Sequence, residues 1–150
     1  MHHDIAVWLW VLHLLGAFYM TGLIWFVQLS HYPLMNRVPP SDYPAYQRAH
    51  MFRTTWAVGP MMLLEAGTAA GLLYVRPESV SLTVAVINLL LLLLIWVSTA
   101  ALQVPCHRRL EQGFDAEVHH KLVATNWIRT VLWTVRAAIL VAVTGGVAPF

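Results

Sequence analysis

The sequence predicts an all-α integral membrane protein, an antiparallel bundle of four helices in a single domain. Four long apolar runs lie at about residues 5–29, 54–75, 82–102 and 122–147, and each has about the length that a helix needs to span a bilayer. The chain is also 59% hydrophobic and only 11% charged, which is typical of a membrane domain and excludes an ordinary water-soluble globule. Contacts with lipid and between helices are therefore expected to hold the domain together.

Each run has signals that indicate where its helix begins or ends. The first is too long for a cleavable signal peptide and lacks a basic leader, so it is expected to remain as a span that Pro33 ends. The second contains Gly59-Pro60, which predicts a kink that neighbouring helices can accommodate. The third follows a tight turn at residues 76–79 and is expected to end at Pro105. A polar stretch then leads into the fourth.

The basic residues predict the orientation. In an up-and-down bundle the connections 30–53 and 103–121 share one side, which holds Arg37, Arg48, Arg53, Arg108, Arg109 and Lys121. The excess of Lys and Arg in short cytoplasmic loops predicts that this side of a cell-membrane protein faces the cytoplasm. Both termini would then face the outside of the cell. Because the basic residues have this explanation, no nucleic-acid partner is expected. The expected partners are membrane lipid and a lipophilic small molecule, with a second copy of the chain as a further candidate.

Charged side chains lie inside these runs, where hydrocarbon penalises them unless they face the bundle interior or pair with one another. Glu65 is the only acid inside any run. Counting about 1.5 Å per residue from the basic side places Arg129 less deep than Glu65 and Arg136 deeper, both within reach of a long side chain. An ion pair between Glu65 and one arginine is therefore predicted. His13 is a second deep titratable group.

Helical spacing extends this polar interior. Residues three or four apart share a helix face, and the fourth run places four large or polar side chains on one face, namely Asn126, Arg129, Trp133 and Arg136. The third run adds Asn88 and, at its end, Gln103. Two buried arginines against one acid leave a net positive interior, which a bound anion or a carbonyl or phenolate oxygen would balance. The alternative is a charge network that only fixes the packing of the bundle.

Histidines lie at the basic end of every run. They are His31, His50, His107 and the adjacent His119-His120, of which only one can point inward from a helix. Imidazole suits iron, copper and zinc, and three ligands with one open position make a catalytic metal site. The predicted metal ligands are His31, His50, His107 and His119. A haem is disfavoured, since bis-histidine ligation needs two deep histidines and only His13 is deep. The alternative is a set of interfacial histidines without metal.

Two segments resemble the anthrone-oxygenase-like family of membrane proteins. Residues 103–110, Q-V-P-C-H-R-R-L, look like its N-V-P-x-N-x-x-L element, and residues 125–130, T-N-W-I-R-T, are similar to its W-N-x-x-R-T element. The proline-containing segment 33–40 also resembles the stretch after the family's first span. The resemblance implies a four-helix membrane protein, some members being linked to the oxidation of anthrones to anthraquinones, with Asn126 and Arg129 as leading site residues. Gln103 and His107 stand where the family usually has Asn, which indicates a histidine-enriched branch.

These observations predict a membrane oxidoreductase or oxygenase for a lipophilic aromatic or quinone-like molecule. A transition metal (Fe, Cu or Zn) would activate oxygen or substrate, and fixed donors would hold a developing oxyanion. The residues predicted to act in catalysis are Asn126, Arg129, Glu65 and His13. Those predicted to bind substrate are Arg136, Asn88, Trp133 and Gln103. The alternatives are a non-enzymatic module that binds or transports a metal or small molecule, and an accessory subunit of a larger membrane complex.

Overall fold

Four long helices make up the computed structural model of this chain, which describes residues 2–145; no strand occurs in that range. The first, α1, spans His2–Phe26 and is followed by a π-helical turn at Val27–His31, the short α2 at Tyr32–Leu34 and a 3-10 turn at Met35–Arg37. The second long helix is α3, Tyr43–Gly71. The third, α4, spans Leu82–Ser98 and is followed by a second π-helical turn at Thr99–Gln103 and by α5, Val104–Leu110. The last is α6, Ala116–Thr144.

The all-α prediction is confirmed, and three helical stretches in the described part of the chain are long and apolar enough to cross a membrane. They are His3–Arg37, Leu82–Leu110 and Ala116–Thr144. The helix α3, which carries the second predicted run, is not among them. It begins eleven residues before that run, in a polar segment, and it contains Glu65. The predicted end of the fourth run at residue 147 lies outside the described residues.

The expectation that Pro33 and Pro105 end their helices is wrong, because a π-helical turn precedes each proline and the helix continues. Proline has no N–H to donate and its ring collides with the carbonyl four residues earlier. Each π-helical turn shifts the hydrogen bonds by one residue, so that Tyr32 N–H donates to Val27 O and Val104 N–H to Thr99 O. His31 is therefore carried on a continuous helical segment.

The helices α1 and α6 form the centre of the packing, since α1 contacts both α3 and α6 and α6 also contacts α4. A glycine permits a close approach of α1 to α3. A Cβ atom on Gly16 would lie 2.9 Å from Cγ of Glu65, a distance that real Cβ atoms do not adopt. This contact presses the acidic side chain of α3 against α1 and directs it into the interior.

Three apolar clusters divide the interior along its length. One lies at the end with Trp10, Leu72 and Leu140, and one at the middle with Met20, Ile95 and Trp133. The third surrounds Tyr43 and Leu110 near the π-helical turns. Buried polar side chains lie between these apolar clusters. They form two polar sites at different depths of the bundle, with apolar packing between them.

We expect Tyr43→Phe to stabilise the protein. The side chain is fully buried, packs edge to face on Phe114 at 5.0 Å and has no hydrogen-bond partner for its hydroxyl in residues 2–145. An unsatisfied buried polar group costs about 1–3 kcal/mol. Burial, and then Tyr46, raises the pKa of Tyr43 to about 12. An unfolded tyrosine titrates near pH 10, so the wild type should lose additional stability as the pH rises from about 10 to about 12.

The measurement is thermal unfolding in detergent at neutral pH and at about pH 11, where the difference between variant and wild type should widen. Tyr74→Phe serves as the control, because Tyr74 is 85% exposed. A less stable Tyr43→Phe variant at neutral pH would show that the hydroxyl has a bonding role.

Candidate functional site

Three of the predicted metal ligands come together near the π-helical turns. Nε2 of His31 lies 2.9 Å from Nδ1 of His50, and the rings of His50 and His107 have centroids 5.3 Å apart. With Tyr32 and Gln47 they make up what is here called the histidine cluster. Burial, and then His31, lowers the pKa of His50 to about 4, so this ring is neutral at physiological pH. Nε2 of His50 is buried and has no hydrogen-bond partner in residues 2–145.

Hydrogen bonds fix the proton positions on His107. The side-chain amide of Gln47 donates to Nδ1 at 2.8 Å and to the backbone carbonyl of His107 at 3.4 Å. Nδ1 is therefore an acceptor, and Nε2–H donates to the hydroxyl oxygen of Tyr32 at 2.8 Å. Arg129 donates to the same oxygen through Nη2 at 3.3 Å. Because the Tyr32 oxygen receives two donors, its own O–H proton is left to donate elsewhere.

The fourth predicted ligand, His119, has a different position. Its Nε2 lies 2.8 Å from the backbone carbonyl of Tyr32, and its ring packs on Phe114. It therefore holds the segment that carries Tyr32. Within residues 2–145, no three His, Cys, Asp or Glu side chains are arranged so that they could hold a metal ion. Both ring nitrogens of His107 are already hydrogen-bonded, so metal binding there would replace one of these bonds.

Arg129 is held beside the histidine cluster by uncharged partners. Its Nε donates to Oδ1 of Asn126 at 2.9 Å, and its Nη2 makes a further short contact with the same oxygen. The Asn126 amide donates in turn to Gln28 at 2.8 Å. Arg129 is 8% exposed, and no carboxylate in residues 2–145 lies within ion-pair distance of it. Its buried positive charge therefore has no counter-charge in the described part of the chain.

The other arginine, Arg136, forms the ion pair that the sequence predicts for Glu65. Its Nη1 lies 2.6 Å from Oε1 of Glu65, and both side chains are fully buried. Trp133 donates to the same carboxylate at 3.3 Å. Nδ1 of His13 lies 2.9 Å from the hydroxyl oxygen of Thr68. These five residues are here called the ion-pair cluster. Nε and Nη2 of Arg136 and Nε2 of His13 have no partner in the described part of the chain.

A cavity of about 150 Å³, here called the ligand pocket, separates the two clusters. His31, Tyr32, His50 and Arg129 line one end, and Trp133 lies at the other. The remaining walls are mostly aliphatic and come from α1, the π-helical turn that follows it and α3, namely Met20, Leu23, Ile24, Phe26, Val27, Ala57 and Val58, with Thr54 beside His50. An apolar space with a few convergent polar groups is the usual form of a small-molecule site.

Three residues predicted to bind substrate lie away from the ligand pocket, and one of them, Arg136, belongs to the ion-pair cluster. Asn88 is buried and donates to Val84 O of its own helix at 3.3 Å. Gln103 joins α6 to the π-helical turn through Thr125 at 3.2 Å, and Ser98 donates to it. Both thus have local structural partners. Of the four predicted substrate-binding residues, only Trp133 lines the pocket.

Sequence analysis did not identify Tyr32, Gln28 or Gln47. Tyrosine at a membrane interface is common, so Tyr32 carried no special signal. Gln28 did have one, because an amide inside a long apolar run is costly unless it is paired. Gln47 lies one helical turn before His50, a spacing that places both side chains on one face.

No protein-family model, no curated protein and no solved structure matches this chain.

Proposed function

We propose that this chain is an integral membrane protein whose four long helices cross the bilayer as an antiparallel bundle. Three helical stretches have the required length and apolar character. Large apolar side chains point outward on α3 as well, with Phe52 67% and Leu63 67% exposed, which suits contact with lipid. By the Lys/Arg bias, the histidine cluster lies at the cytoplasmic side and both termini lie outside.

We further propose that the protein is an oxidoreductase that acts on a lipophilic aromatic or quinone-like molecule in the ligand pocket. The observation that carries this proposal is the buried charge of Arg129, which faces a cavity with otherwise uncharged and mostly apolar walls and has no acidic partner in residues 2–145. A ligand oxygen with anionic character would supply that partner. The resemblance to the anthrone-oxygenase-like family supports the same site, since Asn126 and Arg129 of the matching segment hydrogen-bond each other there.

In the proposed reaction, the pocket binds a hydroquinone or a related phenol with one oxygen at Arg129 and the Tyr32 hydroxyl. His50 can accept the phenolic proton at Nε2, and Arg129 then stabilises the phenolate. Dioxygen is the oxidant. The hydroquinone loses two protons and two electrons as its O–H bonds break, and dioxygen takes both and leaves as hydrogen peroxide. Apolar walls keep water from the developing charge and so strengthen its attraction to Arg129.

The alternative function is a carrier that binds such a molecule without oxidising it. Oxygen uptake by the protein in lipid nanodiscs, with a hydroquinone or an anthrone supplied, separates the two. With the hydroquinone we expect saturable uptake of one dioxygen and one hydrogen peroxide formed per quinone. With the anthrone we expect one dioxygen consumed per anthraquinone, one of its oxygen atoms entering the product and the other leaving as water. Saturable binding without oxygen uptake would identify a carrier, and failure to bind either compound would overturn the proposal.

The metal site at His31, His50 and His107 remains a prediction, and metal content tests it. If the three imidazoles bind iron, copper or zinc, we expect His50→Ala to abolish a stoichiometric metal that the wild type carries. The measurement is mass spectrometry of protein purified after growth with all three metals. His120→Ala is the control, because that side chain is exposed. If the wild type carries no metal, the three imidazoles are not metal ligands and serve in the hydrogen bonds of the histidine cluster.

A further inference from the structure

The ligand pocket has an opening on the side of the bundle, between α1 and α3. Phe26, which lines the pocket, is 58% exposed, and Ala57 on the facing helix is also exposed. These residues lie on the seam of two long helices, away from the loops. In a bilayer such an opening faces hydrocarbon.

Two contacts border this opening, one between α1 and α3 and one between α3 and the π-helical turn that follows α1. At one side the Tyr19 hydroxyl donates to the backbone carbonyl of Ala57 at 3.2 Å. At the other side His31 and His50 meet at 2.9 Å. Between these two bridges the pocket is lined by Leu23, Phe26, Val27, Thr54 and Val58. We call this gap the lateral window.

The size of the pocket limits what can lie inside it. About 150 Å³ is the volume of an engineered apolar cavity that holds one benzene molecule. One substituted ring fills this space when its oxygen reaches Arg129. Any further part of the ligand must leave through the lateral window, where the exposed walls are apolar.

We propose that the ligand is a single-ring phenol or quinone with a hydrocarbon tail, the ring lying in the pocket and the tail leaving through the lateral window into the lipid. This inference rests on the proposed function and narrows its substrate class. The buried charge of Arg129 selects an oxygen-bearing ring, and the apolar window selects the tail. A lipid-dissolved molecule of this kind reaches the pocket without crossing water.

Substitution at the window tests the proposal. Ala57→Phe places a large side chain at the opening, while Ala70→Phe adds the same side chain at an exposed position of α3 that does not line the pocket. The probes are a methylated hydroquinone without a tail and the same ring with a ten-carbon alkyl tail. Binding to the protein in nanodiscs is measured for both probes, together with the melting temperature of each variant.

We expect Ala57→Phe to weaken binding of the tailed probe about tenfold or more and that of the tail-less ring about twofold or less, a difference of about 1 kcal/mol or more. Ala70→Phe should change neither. The smaller Ala57→Leu change gives an intermediate loss if Ala57→Phe does not fold. Equal losses for both probes, or an unchanged affinity for the tailed one, would overturn the window. A wild type that binds neither probe would overturn the proposed function and the window together.

Discussion

Glu65→Gln should lower the free energy of unfolding by about 3–5 kcal/mol, because it leaves the charge of Arg136 buried without a counter-charge. Arg136 already has two nitrogens without partners in the described part of the chain, so no neighbouring group there compensates. Glutamine keeps the volume of the side chain, and the loss therefore reports charge and not a cavity. The measurement is denaturant unfolding in mixed micelles, followed by tryptophan fluorescence.

The double variant Glu65→Leu/Arg136→Met should recover most of that stability, because two apolar side chains of similar volume can replace a buried ion pair at little cost. Glu78→Gln is the control for a carboxylate on the surface. Wild-type stability in Glu65→Gln would mean that the pair contributes no net attraction. Failure of the double variant to recover would instead assign a further role to Arg136.

Arg129→Met should reduce turnover of the proposed hydroquinone substrate by about a hundredfold to a thousandfold, the usual effect of removing one donor to a developing oxyanion. Methionine keeps the apolar contacts of the stem but neither the charge nor the hydrogen bond to the Tyr32 hydroxyl. Oxygen uptake over a range of substrate concentrations measures the change. The loss should fall on kcat more than on KM, because the phenolate forms during the reaction.

Arg129→Lys separates the contribution of the positive charge to turnover from that of the hydrogen-bond geometry of the guanidinium group. Lysine keeps a positive charge but cannot make the paired contacts with Asn126 and Tyr32, so we expect an intermediate loss. Arg108→Met, an exposed arginine at the same end of the bundle, is the matched control. Full activity in Arg129→Met would show that the reaction does not take place in the ligand pocket. Equal losses of activity in Arg129→Met and Arg108→Met would indicate a general effect of positive charge at this membrane face.

The parts of the site that depend on regular helices were predictable from the sequence. A helix rises by a constant amount per residue, so counting from the basic side placed Glu65 within reach of Arg136. The same regularity brings His31, His50 and His107 to one end of the bundle. Side-chain depth follows from the sequence when the backbone is uniform.

Hydrogen-bond partners that depend on a backbone irregularity, or on the rotation of a helix about its own axis, were not predictable. The prolines indicated helix ends, but the chain uses a π-helical turn before each, and this changes the direction of the side chains that follow. Tyr32 lies immediately after such a turn and so reaches both His107 and Arg129. Asn88 has the depth expected of a site residue, yet it bonds only within its own helix, because its rotational position is set by packing that one sequence does not show.

The two halves of the chain resemble each other in the order of their structural elements around the π-helical turns. In both places a turn of five residues ends two positions before a proline, and a helix of 29 residues follows, α3 in one half and α6 in the other. The halves are nevertheless complementary in charge, since the first holds Glu65 and the second holds both buried arginines. Two copies of the first half would bury a pair of unneutralised acids, and two copies of the second would bury four cations. If the chain were cut between Val75 and Ser81 and the pieces were produced together, electrostatics would thus favour the mixed pair over either self-association, and one continuous polypeptide guarantees that pairing.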